Sequence, residues 1–282
     1  MQGKVVVMTG GTSGIGLIAA ERLAEKGARI VLVARDKARG EQTLARLRQA
    51  GPKANHTIHY ADLLRLSEMK RVAAEIAAAE PRIDVLMNNA GAVFSARKQT
   101  EDGLERTFAL NHMSYFVVSQ GLQQRLFSTP GARVVNTASD AHKGKKLDFS
   151  DLQSEKSYSG FRVYGQSKLC NILFTREMAR RWAASGVTVN CLHPGFVATR
   201  FGDESGGGLA GLIRFAKLFA ISPEKGAETM VYLASSDADE VKRANGLYFY
   251  KSRPATPTKE AQDDQAAQRL WAESEKIAGR AG

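Results

Sequence analysis

The chain of 282 residues carries only two cysteines, Cys170 and Cys191, and seven prolines. Its apolar runs, such as Val5 to Met8 and Ile30 to Ala34, are short. Each scarcity excludes a class. Two cysteines inside apolar stretches, with no second pair at metal-ligand spacing, exclude a disulfide scaffold and a zinc site and suit reduced thiols in the cytosol. No run approaches the ~20 residues that span a bilayer. Lys4 is followed by a strand-like run and a glycine turn with no long apolar stretch or cleavage site, so neither signal peptide nor membrane anchor is expected and the chain is placed in the cytoplasm. No repeat and no low-complexity linker divides it before Pro254 and Pro257, which argues for one domain. Charge of one sign is not blocked. The 40 Lys+Arg outnumber the 29 Asp+Glu, giving +11, but they fall in short groups (Arg35, Lys37 and Arg39; Lys143, Lys145 and Lys146) without interleaved aromatics. This reads as a solvated surface, with no nucleic acid as partner.

What is present is 43% hydrophobic and 24% charged residues, the balance of a globular protein. Short Val/Ile-rich segments alternate with helical ones: Lys4–Thr9, then Ile15–Lys26; Arg29–Ala34, then Lys37–Ala50; His56–Tyr60, then Leu66–Ala79; Ile83–Met87, then Leu104 to Phe127. Arg133–Asn136, a helix around Val163–Ala184, Val187–Leu192, a helix from Glu224 to Ala234, and Gly246–Tyr250 follow. Uninterrupted apolar strands are what a parallel sheet covered on both faces requires. The pattern predicts a doubly wound α/β Rossmann fold of about seven strands, in the order 3-2-1-4-5-6 with one added edge strand. Residues 1–250 form that domain, and 251–282 a C-terminal extension whose helix-like run, Lys259–Lys276, docks on it through Ala261, Leu270 and Trp271.

Thr9-Gly10-Gly11-Thr12-Ser13-Gly14-Ile15-Gly16 lies between the first strand and the first helix. Glycine there lets the backbone approach a pyrophosphate, whose charge meets the helix N-terminus. Gly10, Thr12, Ser13, Gly14, Ile15 and Gly16 are the candidate contacts. An acid about 20 residues on would hold a ribose 2′-hydroxyl, and Asp36 superficially answers. The tip of the second strand, however, is Ala34 followed by Arg35, which leaves room and charge for a 2′-phosphate, with the Ser13 hydroxyl adding to the same grip. NADP(H) rather than NAD(H) is the expected cofactor. Asp62 and Leu63, after the third strand, are placed to meet the adenine.

Tyr164 and Lys168, four residues apart, share one helix face. A cation beside a phenol favours the phenolate and draws its pKa from ~10 toward the working range. Together with Thr9–Gly16, Asn88-Asn89-Ala90-Gly91, Asn111, Ser139 and Pro194-Gly195, this pair resembles the short-chain dehydrogenase/reductase pattern, in order over most of the chain. Val33-Ala34-Arg35-Asp36, the run Tyr164–Asn171 continued by Leu173-Phe174-Thr175-Arg176-Glu177, and Gly186–Gly195 (GVTVNCLHPG) resemble its retinol dehydrogenase-like and protochlorophyllide reductase-like branch. Ala141-His142 after Ser139, and the long interval to Tyr164, are also typical of that branch.

The resemblance implies a catalytic set of four. Tyr164 exchanges the proton with the substrate oxygen, Lys168 lowers its pKa and holds the nicotinamide ribose, Ser139 hydrogen-bonds the oxygen, and Asn111 orders the relay water. Asn88, Asn89, Ala90 and Gly91 would line the cofactor, and Pro194, Gly195, Val197 and Thr199 would flank the nicotinamide. Hydride arriving at a carbonyl carbon leaves charge on oxygen, so two donors must converge there. No metal is called for. The glycine-rich stretch Gly202 to Gly208 and the apolar Leu209–Ala220 would form a substrate lid at about 200–220, or a helix packed permanently on the core or another subunit. Ala141–Gly160 would wall the pocket, with His142 a structural or surface histidine rather than a proton donor. The expected substrate is a small hydrophobic carbonyl or alcohol: an aldehyde, ketone, retinoid- or steroid-like or polycyclic molecule. Reduction of a conjugated C=C bond, or an NADP(H)-sensing module without turnover, are the alternatives. A homodimer or homotetramer is implied by the family, unless the C-terminal segment covers the usual pairing surface and leaves a monomer.

Overall fold

The computed structural model describes residues 1–195 and 221–279. Val197, Thr199 and the expected lid lie outside the described residues. Eight strands form one sheet in the order β3-β2-β1-β4-β5-β6-β7-β8. They are β1 (Val5–Thr9), β2 (Arg29–Ala34), β3 (Thr57–Tyr60), β4 (Val85–Asn88), β5 (Arg133–Thr137), β6 (Thr188–His193), β7 (Tyr248–Tyr250) and β8 (Arg253–Ala255). All neighbours are parallel except β7 and β8.

Strand alternation divides the core into two layers. Val5, Val7, Val31, Val33, Leu86, Val134 and Val189 face a layer with α3 (Leu66–Ala79), α5 (Ser114–Gly121), α7 (Gly160–Arg181) and α10 (Asp264–Ala278). Val6, Met8, Ile30, Leu32, Met87, Val135 and Leu192 face the other, with α1 (Gly14–Glu25), α2 (Lys37–Ala50) and α8 (Pro223–Ser235). The strand order reverses beside β1, so a crevice opens at the carboxyl ends of β1 and β4, where this architecture binds ligands.

Two features depart from the sequence expectation. The helix expected from Leu104 to Phe127 is broken into α4 (Arg106–Phe108), a π turn (Ala109–Met113), α5 and α6 (Gln123–Phe127). It starts late because the Glu105 carboxylate, fully buried, caps it by accepting from the Thr107 and Phe108 amides at 2.8 Å each. An eighth strand also joins the sheet. Lys251 and Ser252, at φ 49° and 58°, form a two-residue turn that reverses the chain into β8, pairing Tyr250 with Arg253 and Tyr248 with Ala255. Pro254 is tolerated there because β8 is an edge strand.

After this hairpin the chain docks on the helical layer. Ala261, Leu270 and Trp271 are all buried. Trp271 stacks on Phe174 of α7 at 5.8 Å and meets Phe116 of α5 edge-on at 5.1 Å. α9 (Asp239–Arg243) completes the helices named here. Among the described residues no helix is long and apolar enough to cross a membrane. Both cysteines are free and buried, and burial pushes their thiols up, Cys191 to about 12.

Candidate active site

The glycine turn closes against the segment after β4. Gly10 sits at φ 69°, and a Cβ there would lie 2.7 Å from the Ala90 Cα; one on Gly16 would collide with the Gly10 carbonyl. Only glycine allows this approach. Thr9 fixes it, its hydroxyl accepting the Asn89 and Ala90 amides at 3.1 Å each. The Asn89 side chain donates to the Gly10 carbonyl at 2.9 Å and accepts from the Thr137 hydroxyl at 3.1 Å, so it ties together the ends of β1, β4 and β5. Asn88 turns inward, donating to Ser119 and Asn136 at 2.9 Å each, and is fully buried, so its side chain does not line the crevice as expected. Ser13 stands at the N-cap of α1, but its hydroxyl makes no capping bond.

At the tip of β2 the two candidates separate. Asp36 caps α2, accepting the Arg39 amide at 2.9 Å, and that bond holds its carboxyl below the usual range. Arg35 is exposed and has no hydrogen bond or ion pair among the described residues. Asp62 accepts the Leu64 amide at 3.1 Å, and the Leu63 side chain is buried in the core.

Tyr164 and Lys168 project from α7 and are 8% and 3% exposed. Tyr164 hydrogen-bonds the Ser139 side chain. Ser139 follows β5 and caps the short turn Asp140–His142, its hydroxyl accepting the Ala141 amide at 3.2 Å. The Lys168 ammonium lies 5.5 Å from the Tyr164 ring centre and 5.8 Å from that of Tyr115, and donates to the Thr137 carbonyl at 3.0 Å. A Cβ on Gly91 would stand 3.2 Å from the Asn111 amide oxygen and 3.5 Å from the Lys168 ammonium, so the three meet at one point. Asn111 sits within the π turn, where one extra residue per turn turns it inward. Its amide donates to the Ala92 carbonyl and Ser167 hydroxyl at 3.0 Å each and accepts the Ala92 amide at 2.9 Å.

Burial dominates the electrostatics of the pair. It pushes Lys168 down to about 7. It also pushes the Tyr164 hydroxyl well up, against the opposing effect of the Ser139 bond. Burial thus opposes the effect expected of the lysine, raising the phenol and lowering the ammonium, which gives its hydrogen bond to the Thr137 carbonyl.

Residues that the sequence reading did not single out complete the arrangement. Thr9, Thr137 and Ser167 hold the groups just named. His193 sits at the end of β6, directly before Pro194 and Gly195, and that position within GVTVNCLHPG was its only signal. His142 is structural as expected. Fully buried, it bonds the Ser139 carbonyl at 2.7 Å and accepts the Thr258 amide at 3.4 Å, linking the Ser139 turn to the C-terminal segment. The Ala141–Gly160 segment docks on the loop after β4, the Tyr158 hydroxyl donating to the Phe94 carbonyl at 3.0 Å. Phe161, 51% exposed, stands beside Tyr164 with ring centres 6.5 Å apart.

Comparison with known proteins matches residues 4–207 to the family described as short chain dehydrogenase. Retinol dehydrogenase 14 of Mus musculus is 38% identical, over 99% of this chain and 87% of its own length. A crystal structure of a Mycobacterium paratuberculosis protein superposes with a TM-score of 0.77 at 29% identity, covering 99% of this chain and 94% of its own. A short chain dehydrogenase from Burkholderia cenocepacia J2315, solved in complex with NADP, superposes with a TM-score of 0.69 at 26% identity, covering 88% of this chain and 95% of its own.

Proposed function

Because the chain belongs to the short-chain dehydrogenase family, we propose that it transfers a hydride between NADP(H) and the carbonyl or alcohol carbon of a hydrophobic substrate. The convergence of Tyr164, Ser139, Lys168 and Asn111 at the open ends of β4 and β5 carries this reading. The residues fit the cofactor. Gly10 and Gly16 leave space that a side chain would fill, Ser13 keeps its hydroxyl out of the cap, and Arg35 is free among the described residues to grip a 2′-phosphate. In this reading Asp62 and the Leu63 backbone meet the adenine. Ala90 and Gly91 line the ribose beside the Asn89 tie, and Pro194, Gly195, Val197 and Thr199 flank the nicotinamide.

The bound nicotinamide supplies or accepts the hydride. Tyr164, raised by burial, is a neutral phenol and gives its proton to the substrate oxygen, while Ser139 holds that oxygen with a second hydrogen bond. Lys168, near neutrality, passes a proton toward Tyr164 as readily as it takes one, and Asn111 holds the relay water beside it. Both ends of the Asn111 side chain are already bonded, so it acts through the backbone of the π turn. Phe161 at the rim of the site, and the retinol in the relative's name, favour a lipophilic aldehyde or ketone. Two buried unpaired cysteines suit a cytoplasmic setting.

NADPH consumption with a panel of lipophilic aldehydes, ketones, quinones and enones tests this. Turnover that Tyr164→Phe reduces by ~10²–10⁴-fold is expected. A panel that stays inert while NADPH binds tightly would favour a sensor, and turnover indifferent to Tyr164→Phe would remove the proton donor from the scheme.

A further inference from the structure

The β5–β6 ladder ends where the site begins. Thr137 pairs with Leu192, and the Ala138 amide bonds the Leu192 carbonyl at 2.7 Å. Beyond that point no backbone hydrogen bond among the described residues joins Ser139–Asp140 to His193–Gly195. The His193 ring joins them instead. Its Nδ1 accepts the Asp140 amide at 3.3 Å and the Gly195 amide at 3.2 Å.

We propose that His193 is a positioning residue, which sets the distance between Ser139 and the Pro194–Gly195 turn by accepting one amide from each side. The inference rests on the function proposed above, in which Ser139 holds the substrate oxygen and Pro194–Gly195 flank the nicotinamide.

An Nδ1 that accepts two amides carries no proton, so the ring proton resides on Nε2. That atom lies 3.9 Å from the Asp140 carboxylate. Asp140 is itself braced, by the Lys143 ammonium at 2.8 Å and the Tyr248 hydroxyl at 3.4 Å. The ring is stacked on Tyr250 of β7, centres 4.7 Å apart and planes 21° from parallel. It cannot swing without losing both the stack and the two amides. Burial pushes His193 below the usual histidine range, against the pull of Asp140 and with help from Lys143 and His142, so Nδ1 is an acceptor at neutral pH. Gly195, at φ 92°, turns the chain sharply where its amide is held.

The consequence is geometric. Transfer requires the substrate carbon and the nicotinamide at contact distance, and a shift of ~1 Å between their supports costs about 10²-fold. One ring nitrogen bonded to both supports removes that freedom.

Two substitutions separate positioning from packing. His193→Asn puts an amide oxygen at the same place relative to Cγ as Nδ1 but loses the stack on Tyr250. His193→Phe keeps the stack and loses the acceptor. NADPH turnover with all-trans-retinaldehyde, thermal unfolding, and hydrogen exchange at the Asp140 and Gly195 amides without cofactor are measured for each. Positioning predicts that His193→Phe lowers kcat by ~10–100-fold, with a smaller change in the KM for NADPH and faster exchange at both amides. His193→Asn is predicted to keep kcat and exchange close to those of the unaltered protein despite a lower Tm. Activity and exchange that follow Tm, worse in His193→Asn than in His193→Phe, would overturn the inference. So would unchanged exchange at both amides in His193→Phe, which decides the matter even if retinaldehyde is not turned over. Tyr164→Phe run alongside keeps the two readings apart. If it retains activity, the proposed function fails, whereas if it alone is inactive the role of His193 fails.

Discussion

Lys168 shows what the site costs the fold. Its folded pKa of about 7 lies below the ordinary lysine value of 10.5, so between those values the unfolded chain binds a proton that the folded chain does not. Stability contributed by this residue therefore rises with pH across that window, and the penalty is complete below about 7. Lys168→Met should abolish turnover, raise Tm at neutral pH by ~3–6 °C and flatten the rise in stability toward pH ~9. Thermal unfolding at several pH values checks this, and an unchanged slope would contradict it. Arg35 carries the cofactor preference. Arg35→Ala should raise the KM for NADPH by ~10–100-fold, the loss of a charge-assisted pair, and leave the KM for NADH nearly unchanged. Steady-state kinetics with both cofactors decide this. A parallel loss with NADH would place Arg35 elsewhere than at the 2′-phosphate. The residues legible in the sequence were those whose partners lie close in the chain, such as Tyr164 with Lys168 four positions on. Thr9 and His193 were visible only as places inside longer motifs, and nothing local announces Thr137, because the bonds all three make reach distant segments.

Among the elements, the π turn and α10 act together. His112, next to Asn111, is buried between Phe108 and Phe174, and its Nε2 lies 2.8 Å from the Ser274 hydroxyl of α10. Ser274 donates to the Leu270 carbonyl at 2.8 Å, so it accepts from the imidazole. Burial lowers His112 to about 3, so the ring is neutral. The last helix thus braces the turn that carries Asn111. Trp271→Ala should cost ~3–5 kcal/mol in chemical denaturation and reduce turnover through the π turn, while a loss under ~1 kcal/mol would show α10 to be a loose appendage. The strands were legible because a sheet covered on both faces needs continuous apolar runs, and Val5–Thr9 and Arg29–Ala34 have them. The π turn was not, since one inserted residue leaves the surrounding apolar pattern intact. The β7–β8 hairpin was hidden because its turn uses Lys251 and Ser252, where glycine or asparagine would have signalled the positive φ.

At the scale of the whole molecule, the sheet brings four distant segments to one edge: the glycine turn after β1, the loop after β4, Ser139 after β5, and His193–Gly195 after β6. α7 then lays Tyr164 and Lys168 across them. The family resemblance implies pairing of subunits through the helices that follow β4 and β5. Trp271, Leu270 and the Arg176–Asp264 ion pair at 2.7 Å occupy the α5 and α7 surface from within the same chain. Sedimentation is therefore expected to give the single-chain mass of 30.6 kDa, and a mass twice that would show pairing by another surface. Hydride transfer to the carbonyl carbon is tested by following the hydride itself. NADPH carrying deuterium at the transferable C4 position is incubated with all-trans-retinaldehyde, and the product is read by mass spectrometry. Deuterium is expected on the carbinol carbon, with the yield collapsing in Tyr164→Phe. Deuterium at an alkene carbon would identify reduction of the conjugated bond and rule out hydride transfer to the carbonyl carbon.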